Sequence, residues 1–174
     1  MDLLQLILFI LPAYFANSTP VISGGRTPID LGAKLGDRQR LLGPGKTFRG
    51  LAVGIVAGTI AGAVMAYLIP ALYLAGTGQG QKILIAFALS VGTMLGDSIG
   101  SFIKRRRKLK PGQETVITDK LTFLIVALLV AYPFYGQTVN LQIIDLVFLA
   151  VLTVVLHKAF NWLAHSAKLK KVAW

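Results

Sequence analysis

Residues 83–103 read ILIAFALSVGTMLGDSIGSFI, an apolar stretch of membrane-spanning length that contains one acid, Asp97, near its end. The hydrocarbon core of a bilayer is about 30 Å thick, and a helix needs roughly 20 apolar residues to cross it. Three cations follow directly, at Lys104, Arg105 and Arg106. The stretch therefore predicts a transmembrane helix with a carboxylate inside one membrane boundary and a basic cluster at that boundary.

Four further segments approach the same length, and the whole chain of 174 residues is 55% hydrophobic with a mean hydropathy of +0.68. These segments are Leu3 to Ile22, Leu51 to Ala75, Val116 to Tyr135 and Ile143 to Leu163. The first is predicted to be a span rather than a signal peptide, because no basic residue precedes it and no small-residue cleavage site follows. The sequence predicts an all-α integral membrane protein with five transmembrane helices in a single domain, residues 1–174.

Connections rich in basic residues alternate along the chain with connections that have few or none. Lys and Arg total 18 against 7 acids, and they concentrate between spans one and two, between spans three and four, and in the C-terminal tail. The positive-inside rule then predicts an outside N-terminus, two large basic cytoplasmic loops and a cytoplasmic C-terminus. Nucleic acid is a poor fit as a partner because the cations lie between apolar spans, and the absence of cysteine excludes thiolate catalysis and Cys-ligated zinc.

Two small-residue stripes predict close helix packing. Span two carries glycine at every fourth position and span three repeats this rhythm; the glycines are Gly50, Gly54, Gly58, Gly62, Gly92, Gly96 and Gly100. In lipid, such stripes let helix backbones approach and gain dispersion energy. Seams within one chain are a simpler interpretation than a dimerisation motif.

Span three also carries a polar stripe, because Ser90, Thr93, Asp97, Ser101 and Lys104 follow one another at spacings of three or four. The seven residues from the acid to the lysine correspond to roughly 10 Å of helix. An ionised carboxylate at that depth costs several kcal/mol unless it faces a cation, a metal or water. A structural pair with a neighbouring cation and a functional site are therefore both open.

The loop before span two resembles an anion binder. It reads Gly43-Pro44-Gly45-Lys46-Thr47-Phe48-Arg49-Gly50 and combines glycines, two cations and a hydroxyl just before a helix. Converging backbone N–H groups and a helix N-terminus favour phosphate. It is not a P-loop, because that pattern demands glycine at Arg40 and a preceding strand. A flexible basic loop that touches anionic lipid is the competing interpretation.

Other polar residues near the membrane boundaries have weaker interpretations. Asp119 beside Lys120 opens span four, where an acid also complements the helix dipole. Span one closes with 17–20, NSTP, where Pro20 is predicted to end the helix. His157 in span five is predicted to be an interfacial polar residue, and Asp145 to be solvated.

At these positions the sequence resembles the CDP-archaeol synthase family over nearly its whole length. The residues that carry the resemblance are 17–20 (NSTP), 28–30 (PID), 45–50 (GKTFRG), 96–106 (GDSIGSFIKRR), 110–112 (KPG) and 119–121 (DKL). The segment 96–106 is also similar to the signature of bacterial CDP-diacylglycerol synthases. Lys120 and Thr122 stand where the family pattern has glutamine and a second aspartate, which leaves Asp97 and Asp119 as the metal candidates.

The resemblance implies a membrane enzyme of archaeal phospholipid biosynthesis that uses Mg²⁺ and converts CTP and 2,3-di-O-geranylgeranylglyceryl phosphate to CDP-archaeol and pyrophosphate. Its active site would face the cytoplasm, with Asp97, Lys104, Arg105 and Lys46 as catalytic residues. Residues expected to bind CTP or phosphate are Asn17, Thr19, Pro20, Lys46, Thr47, Arg49, Ser101, Lys104, Arg105 and Arg106. The alternative from another class is a small transporter or channel that uses Asp97 as a relay, although the outer halves of the spans are almost wholly apolar.

Overall fold

The computed structural model describes residues 2–109, 115 and 120–166, without the side chains of 157, 160, 161 and 163–166. Five α-helices account for nearly all regular structure in this part of the chain. They are α1 (Leu3–Ser23), α2 (Phe48–Leu68), α3 (Gln79–Arg106), α4 (Thr122–Tyr135) and α5 (Ile143–Ser166). The predicted all-α class is therefore confirmed.

Three of these helices, α1, α2 and α3, are long and apolar enough to cross a membrane. Helix α4 has 14 residues, which is about 21 Å, and a single π turn at 120–121 precedes it. The apolar part of α5, Ile143–Leu156, is likewise shorter than a full span. Of the predicted fourth span, residues 116–119 lie outside the described residues.

Two predictions about helix ends are wrong. The second span stops at Leu68 rather than Ala75, because Pro70 lacks an N–H and disfavours helical backbone just before it. Residues 69–75 instead form turns that fold Tyr73 and Leu74 into the core. Conversely, α1 runs through Pro20 to Ser23. A proline removes only one bond of the helical ladder, so a helix embedded among its neighbours tolerates it.

The glycine stripes form the seams between helices, as predicted. A Cβ at Gly54 would lie 2.8 Å from the carbonyl oxygen of Ala16 on α1, and one at Gly58 would overlap the hydroxyl of Ser90 on α3. On the other side of α3, a Cβ at Gly96 would lie 2.6 Å from the Cα of Phe123 on α4. Helix α3 is therefore held between α2 and α4.

The last helix joins the others through α1. Thr153 on α5 and Tyr14 on α1 share a hydrogen bond of 2.8 Å between their hydroxyl oxygens, and Leu149 is fully buried. Asp145 is also buried, and its carboxylate accepts from the backbone N–H of Gln142, one half of a capping box. The prediction that Asp145 is solvated is wrong, because this N-terminal cap draws its carboxylate back onto the backbone.

Candidate active site

The connection between α1 and α2 is an ordered loop built around Asp30. Asp30 as a whole residue is 5% exposed, and its side chain accepts backbone N–H bonds from Gly32, Leu42 and Gly43 at 3.0–3.1 Å. The Arg40 guanidinium lies 2.5 Å from the carboxylate and holds the pKa of Asp30 far below its ordinary value, with help from the three N–H donors and against the effect of burial. One buried anion thus draws residues 30–43 into a compact unit.

Short antiparallel pairings connect this unit to the start of α2. The Ile29 N–H donates to the Lys46 carbonyl at 2.8 Å, and the Phe48 N–H donates to Thr27 at 3.2 Å. Thr47 then caps α2, its side-chain oxygen accepting from the Gly50 N–H at 3.1 Å. The phosphate-binding segment predicted from sequence therefore has a defined backbone.

Arg106, at the end of α3, contacts the same loop and stabilises it. Its guanidinium contacts Asp37 at 2.6 Å, donates to the Arg40 carbonyl at 2.7 Å and lies 5.3 Å from the Phe102 ring centre. Desolvation opposes ionisation of Asp37, but the Gln39 N–H and the Arg106 guanidinium together lower its pKa. The structure therefore places this arginine in the loop's support rather than in the cavity beside Asp97.

Lys46 reaches from the loop to the acid on α3. Its Nζ lies 2.5 Å from an Asp97 carboxylate oxygen, with the two side chains 26% and 29% exposed. This contact joins positions 51 residues apart and brings together the two features that the sequence singled out. Asp97 is therefore neutralised by a cation, but one delivered by the candidate phosphate-binding loop rather than by its own helix.

A small cavity of about 30 Å³ surrounds this ion pair. Ten residues from α1, the loop, α2 and α3 line it: Pro20, Ile29, Gly45, Lys46, Thr47, Gly50, Leu51, Met94, Asp97 and Ser98. Pro20, Lys46, Thr47 and Asp97 were predicted as site residues. Their convergence on one chamber is the arrangement that an anion-binding site between a loop and a membrane helix requires.

Five other predicted residues lie at the same end of the helix bundle but do not line this cavity. Ser101 donates to the Asp97 carbonyl at 3.0 Å, and Thr19 donates to the Phe15 carbonyl at 2.6 Å. Arg105 is half-buried, and its Nε has no hydrogen-bond partner. Asn17 and Lys104 are half-buried on α1 and α3, and Asp119 lies outside the described residues.

Arg49 does not line the cavity beside Asp97. It faces a second, larger cavity of about 660 Å³ between the end of α1 and the start of α2. Residues of the α1 exit, namely Ser23, Gly24, Gly25, Arg26 and Thr27, form this cavity together with Phe48 and Arg49. Of the predicted site residues that line a cavity, Arg49 is therefore apart from Pro20, Lys46, Thr47 and Asp97.

Sequence reasoning missed Asp30 as an organising residue. The pattern Asp30-Leu31-Gly32 was a usable signal, because an aspartate that accepts from the N–H two residues on forms an Asx turn. The contacts with Leu42 and Gly43 had no such signal, since they depend on how the chain returns after ten further residues.

The donor set around Asp97 suits a hard divalent cation. The carboxylate and the Thr47 hydroxyl supply oxygen ligands beside the cavity, and among the described residues there is no cluster of three or more acids, histidines or cysteines. Mg²⁺ is commonly held by one or two carboxylates and by substrate phosphates rather than by a full protein cage. The residues present therefore fit magnesium that arrives with a polyphosphate.

The sequence model of the family described as CarS-like CDP-archaeol synthase matches residues 1–174. The chain belongs to the CDP-archaeol synthase family. Among its relatives, the CDP-archaeol synthase of Pyrococcus horikoshii is 46% identical over 99% of this chain and 98% of its own. That of Thermococcus gammatolerans is 44% identical over 95% and 93%, and that of Methanococcus maripaludis strain C7 is 42% identical over the whole of both chains.

A solved structure of an intramembrane enzyme for archaeal membrane lipid biosynthesis is similar to this fold. It is 36% identical, has a TM-score of 0.79 and covers 92% of this chain and 94% of its own. Family membership confirms the predicted resemblance and places the chain in archaeal lipid biosynthesis as a membrane-embedded transferase. It gives no support to the transporter alternative.

Proposed function

We propose that this protein transfers a cytidylyl group from CTP to 2,3-di-O-geranylgeranylglyceryl phosphate, giving CDP-archaeol and pyrophosphate. The observation that carries the proposal is the contact between Lys46, in the loop, and Asp97, inside the helix bundle, across a shared cavity. A cation and a carboxylate at one point suit a nucleoside triphosphate and its metal. Membership of the CDP-archaeol synthase family supports the same reaction.

The reaction needs charge neutralisation more than proton transfer. An oxygen of the lipid phosphate attacks the α-phosphorus of CTP, a P–O bond forms, and the bond to the β-phosphate oxygen breaks to release pyrophosphate. The attacking monoester has a second pKa of about 6, so it is largely ionised at neutral pH and no general base is required. The barrier is repulsion between two anions, which positioned cations lower.

The chain's own residues then have distinct tasks. Lys46 neutralises phosphate oxygens once it leaves Asp97, and Thr47 and Ser101 complete hydrogen bonding. Lys104 and Arg105 at the end of α3 neutralise the triphosphate, with Asn17, Thr19 and Pro20 bounding the nucleotide from α1.

Asp97 would hold Mg²⁺, with Asp119 as the second candidate ligand. Mg²⁺ held there would supply positive charge that neutralises the triphosphate. The protein's contribution is an ionised carboxylate kept near the inner end of α3, beside the segment that receives the nucleotide.

The proposal includes a membrane arrangement. Five helices span the bilayer with the N-terminus outside, so that the α1–α2 loop and the basic end of α3 face the cytoplasm, where CTP is made available. The lipid tails remain between helices in the hydrocarbon region, and only the phosphate enters the polar chamber. The charge distribution between the apolar segments supports this orientation.

Exchanging Asp97 for Asn tests the proposal because it keeps the shape of the side chain and removes its charge. We expect cytidylyl transfer, followed as pyrophosphate release from CTP and the lipid phosphate, to fall by about 100-fold or more. Asp2→Asn is the matched control, because Asp2 is an exposed helix cap at the start of α1. Normal turnover by Asp97→Asn at unchanged Mg²⁺ would remove the basis of the assignment.

A further inference from the structure

The cavity of about 660 Å³ between α1 and α2 is the larger of the two cavities described above and has no role in the nucleotide site. Its size falls within the range of small-molecule pockets, about 300–1,000 Å³. The smaller cavity beside Asp97, at about 30 Å³, has room for roughly one water. A transferase with two substrates needs a binding site for each of them. The larger cavity is available for the second substrate.

Two arginines give this cavity its charge. Arg26 and Arg49 both line it, and both are exposed. Within residues 2–109, 115 and 120–166, neither guanidinium has an ion-pair or hydrogen-bond partner, unlike Arg40 and Arg106, which form ion pairs with Asp30 and Asp37 of the loop. A guanidinium binds a phosphate through two parallel hydrogen bonds, so a pair of unengaged arginines at a cavity indicates an anionic ligand.

Exposed apolar side chains lie beside the cavity lining along the chain. Val21 and Ile22, at the end of α1, are 71% and 84% exposed, and Phe48, at the start of α2, is 51% exposed. In a membrane-embedded chain such side chains face lipid. A ligand that carries a phosphate on an apolar tail therefore satisfies both parts of this surface, with its head between the arginines and its tail along these side chains.

The linings of the two cavities come close together at Thr47. Thr47 lines the cavity beside Asp97, while Gly25 lines the larger one, and a Cβ at Gly25 would overlap the Thr47 hydroxyl. Reacting groups must approach to about 3–3.5 Å in a near-attack arrangement. A phosphate held by Arg26 and Arg49 would lie in a cavity whose lining reaches Thr47, and an acceptor must lie close to the nucleotide chamber in this way.

We propose that Arg26 and Arg49 bind the phosphate monoester of the lipid substrate in this cavity, so that the acceptor reaches the nucleotide past Thr47. This rests on the proposed function. It makes Arg26 a substrate-binding residue, and it assigns Arg49 to the lipid phosphate rather than to CTP.

The test compares Arg26→Gln and Arg49→Gln with Arg38→Gln, which removes an arginine from the same loop at an exposed position outside both cavities. We expect the KM for the lipid phosphate to rise about tenfold or more in the first two variants, as the loss of a charge-assisted hydrogen bond implies. The KM for CTP should not change, and Arg38→Gln should behave as the wild type. Tailless glycerol 1-phosphate should inhibit competitively against the lipid, and more weakly in Arg26→Gln.

Several outcomes would overturn the inference. An equal rise in lipid KM for Arg38→Gln would indicate general attraction of lipid anions to the membrane surface. A rise in the KM for CTP alone would return Arg49 to the nucleotide site and leave Arg26 without a role. If Arg26→Gln fails to fold, Arg26→Lys keeps the charge but not the two-pronged geometry, and an unchanged lipid KM would then contradict the proposal.

Failure of the proposed function can be separated from failure of this inference. If the wild type releases no pyrophosphate from CTP, the reaction is wrong. Equilibrium binding of radiolabelled lipid phosphate in detergent micelles then tests the cavity without turnover. Equal binding by wild type and Arg26→Gln would exclude the cavity, whatever the reaction.

Discussion

The contact between Lys46 and Asp97 solves an electrostatic problem at the residue scale. A carboxylate within a membrane helix is costly when unpaired, and a flexible lysine from the loop removes that cost without closing the site permanently. Because Asp97 keeps 29% of its side chain exposed, the pair is not locked in a dry core. In the proposed reaction, a divalent cation would take the place of Lys46 beside Asp97, and a polyphosphate would take the place of Asp97 beside Lys46.

Replacement of Lys46 should therefore weaken nucleotide binding specifically. We expect Lys46→Met to raise the Kd for CTP about tenfold or more, because a charge-assisted contact to phosphate is lost, while Lys46→Arg retains part of the affinity. Equilibrium binding of CTP to the detergent-solubilised protein measures this. Lys34→Met, at an exposed position of the same loop, is the control. Equal CTP affinity in Lys46→Met and wild type would show that the lysine only neutralises Asp97.

Sequence patterns identified the residues of the ion pair for separate reasons. Asp97 was conspicuous because acids are rare in apolar spans, and Lys46 and Thr47 because they follow two glycines and precede a helix. Their direct contact was not predictable, since it depends on the path of the loop across 51 positions. Arg26 gave no signal in the sequence, because one basic residue after a span is ordinary and only the fold places it opposite Arg49.

At the scale of elements, the loop between α1 and α2 behaves as a small folded unit with Asp30 at its centre. Its depressed pKa means that the carboxylate is ionised at every pH above its ordinary value of 3.8, and that its support of the loop is constant there. The contribution is lost only as the pH falls below that value towards the lowered pKa. The loop should therefore be unaffected by pH between 5 and 8.

Asp30→Asn should loosen the loop without unfolding the helices. The amide removes the negative charge that Arg40 and three backbone N–H groups surround. We expect hydrogen exchange at the amides of Leu42 and Gly43 to become at least tenfold faster near neutral pH, and the loss of protection that we expect in the wild type below pH 4 to be absent from the variant. Asp2→Asn is the control. Unchanged exchange in Asp30→Asn would mean that other contacts order the loop.

The seam between α2 and its two neighbours makes a separate prediction. Gly58→Ala places a methyl group against the Ser90 hydroxyl and 2.5 Å from the Pro12 carbonyl, so α1 or α3 must shift. Overpacking of this kind costs about 1–3 kcal/mol, and the melting temperature in detergent should fall. Gly80→Ala is the matched control, because nothing lies within 4 Å of its added Cβ and it lies in α3, where alanine is favoured. Equal melting temperatures would mean that the seam is loose.

Helix seams were predictable from glycine spacing, whereas helix ends were not. Apolar composition continues past Leu68, so hydropathy alone extended the second span to Ala75, although Pro70 and the burial of Tyr73 end it earlier. The error at Pro20 was the opposite one. The sequence predicted that the helix ends there, but α1 continues among its neighbouring helices. Hydropathy predicts whether a segment lies in the membrane, whereas packing determines the residue at which its helix ends.

At the scale of the whole molecule, both cavities and the basic end of α3 lie at one end of the bundle, the end reached by the α1–α2 loop. The opposite connections, 69–78 and 136–142, carry no basic residue. This separation of charge supports the proposed arrangement, in which a polyphosphate enters from one side of the membrane and the lipid arrives laterally.

The proposed orientation is directly testable because the chain contains no cysteine. Two positions suit single cysteines: Lys34, in the α1–α2 loop, and Gln137, after α4. Both residues are exposed and lie outside the two cavities. In intact cells, a membrane-impermeant maleimide should label Gln137→Cys but label Lys34→Cys only after permeabilisation. Gln79→Cys, at the first residue of α3, should behave as Gln137→Cys, because the two helices α3 and α4 lie between these two positions. Labelling of Lys34→Cys in intact cells would mean that the orientation is the reverse of the proposed one. Opposite labelling of positions 79 and 137 would mean that α3 and α4 do not both cross the membrane. The short length of α4 makes this second outcome worth testing.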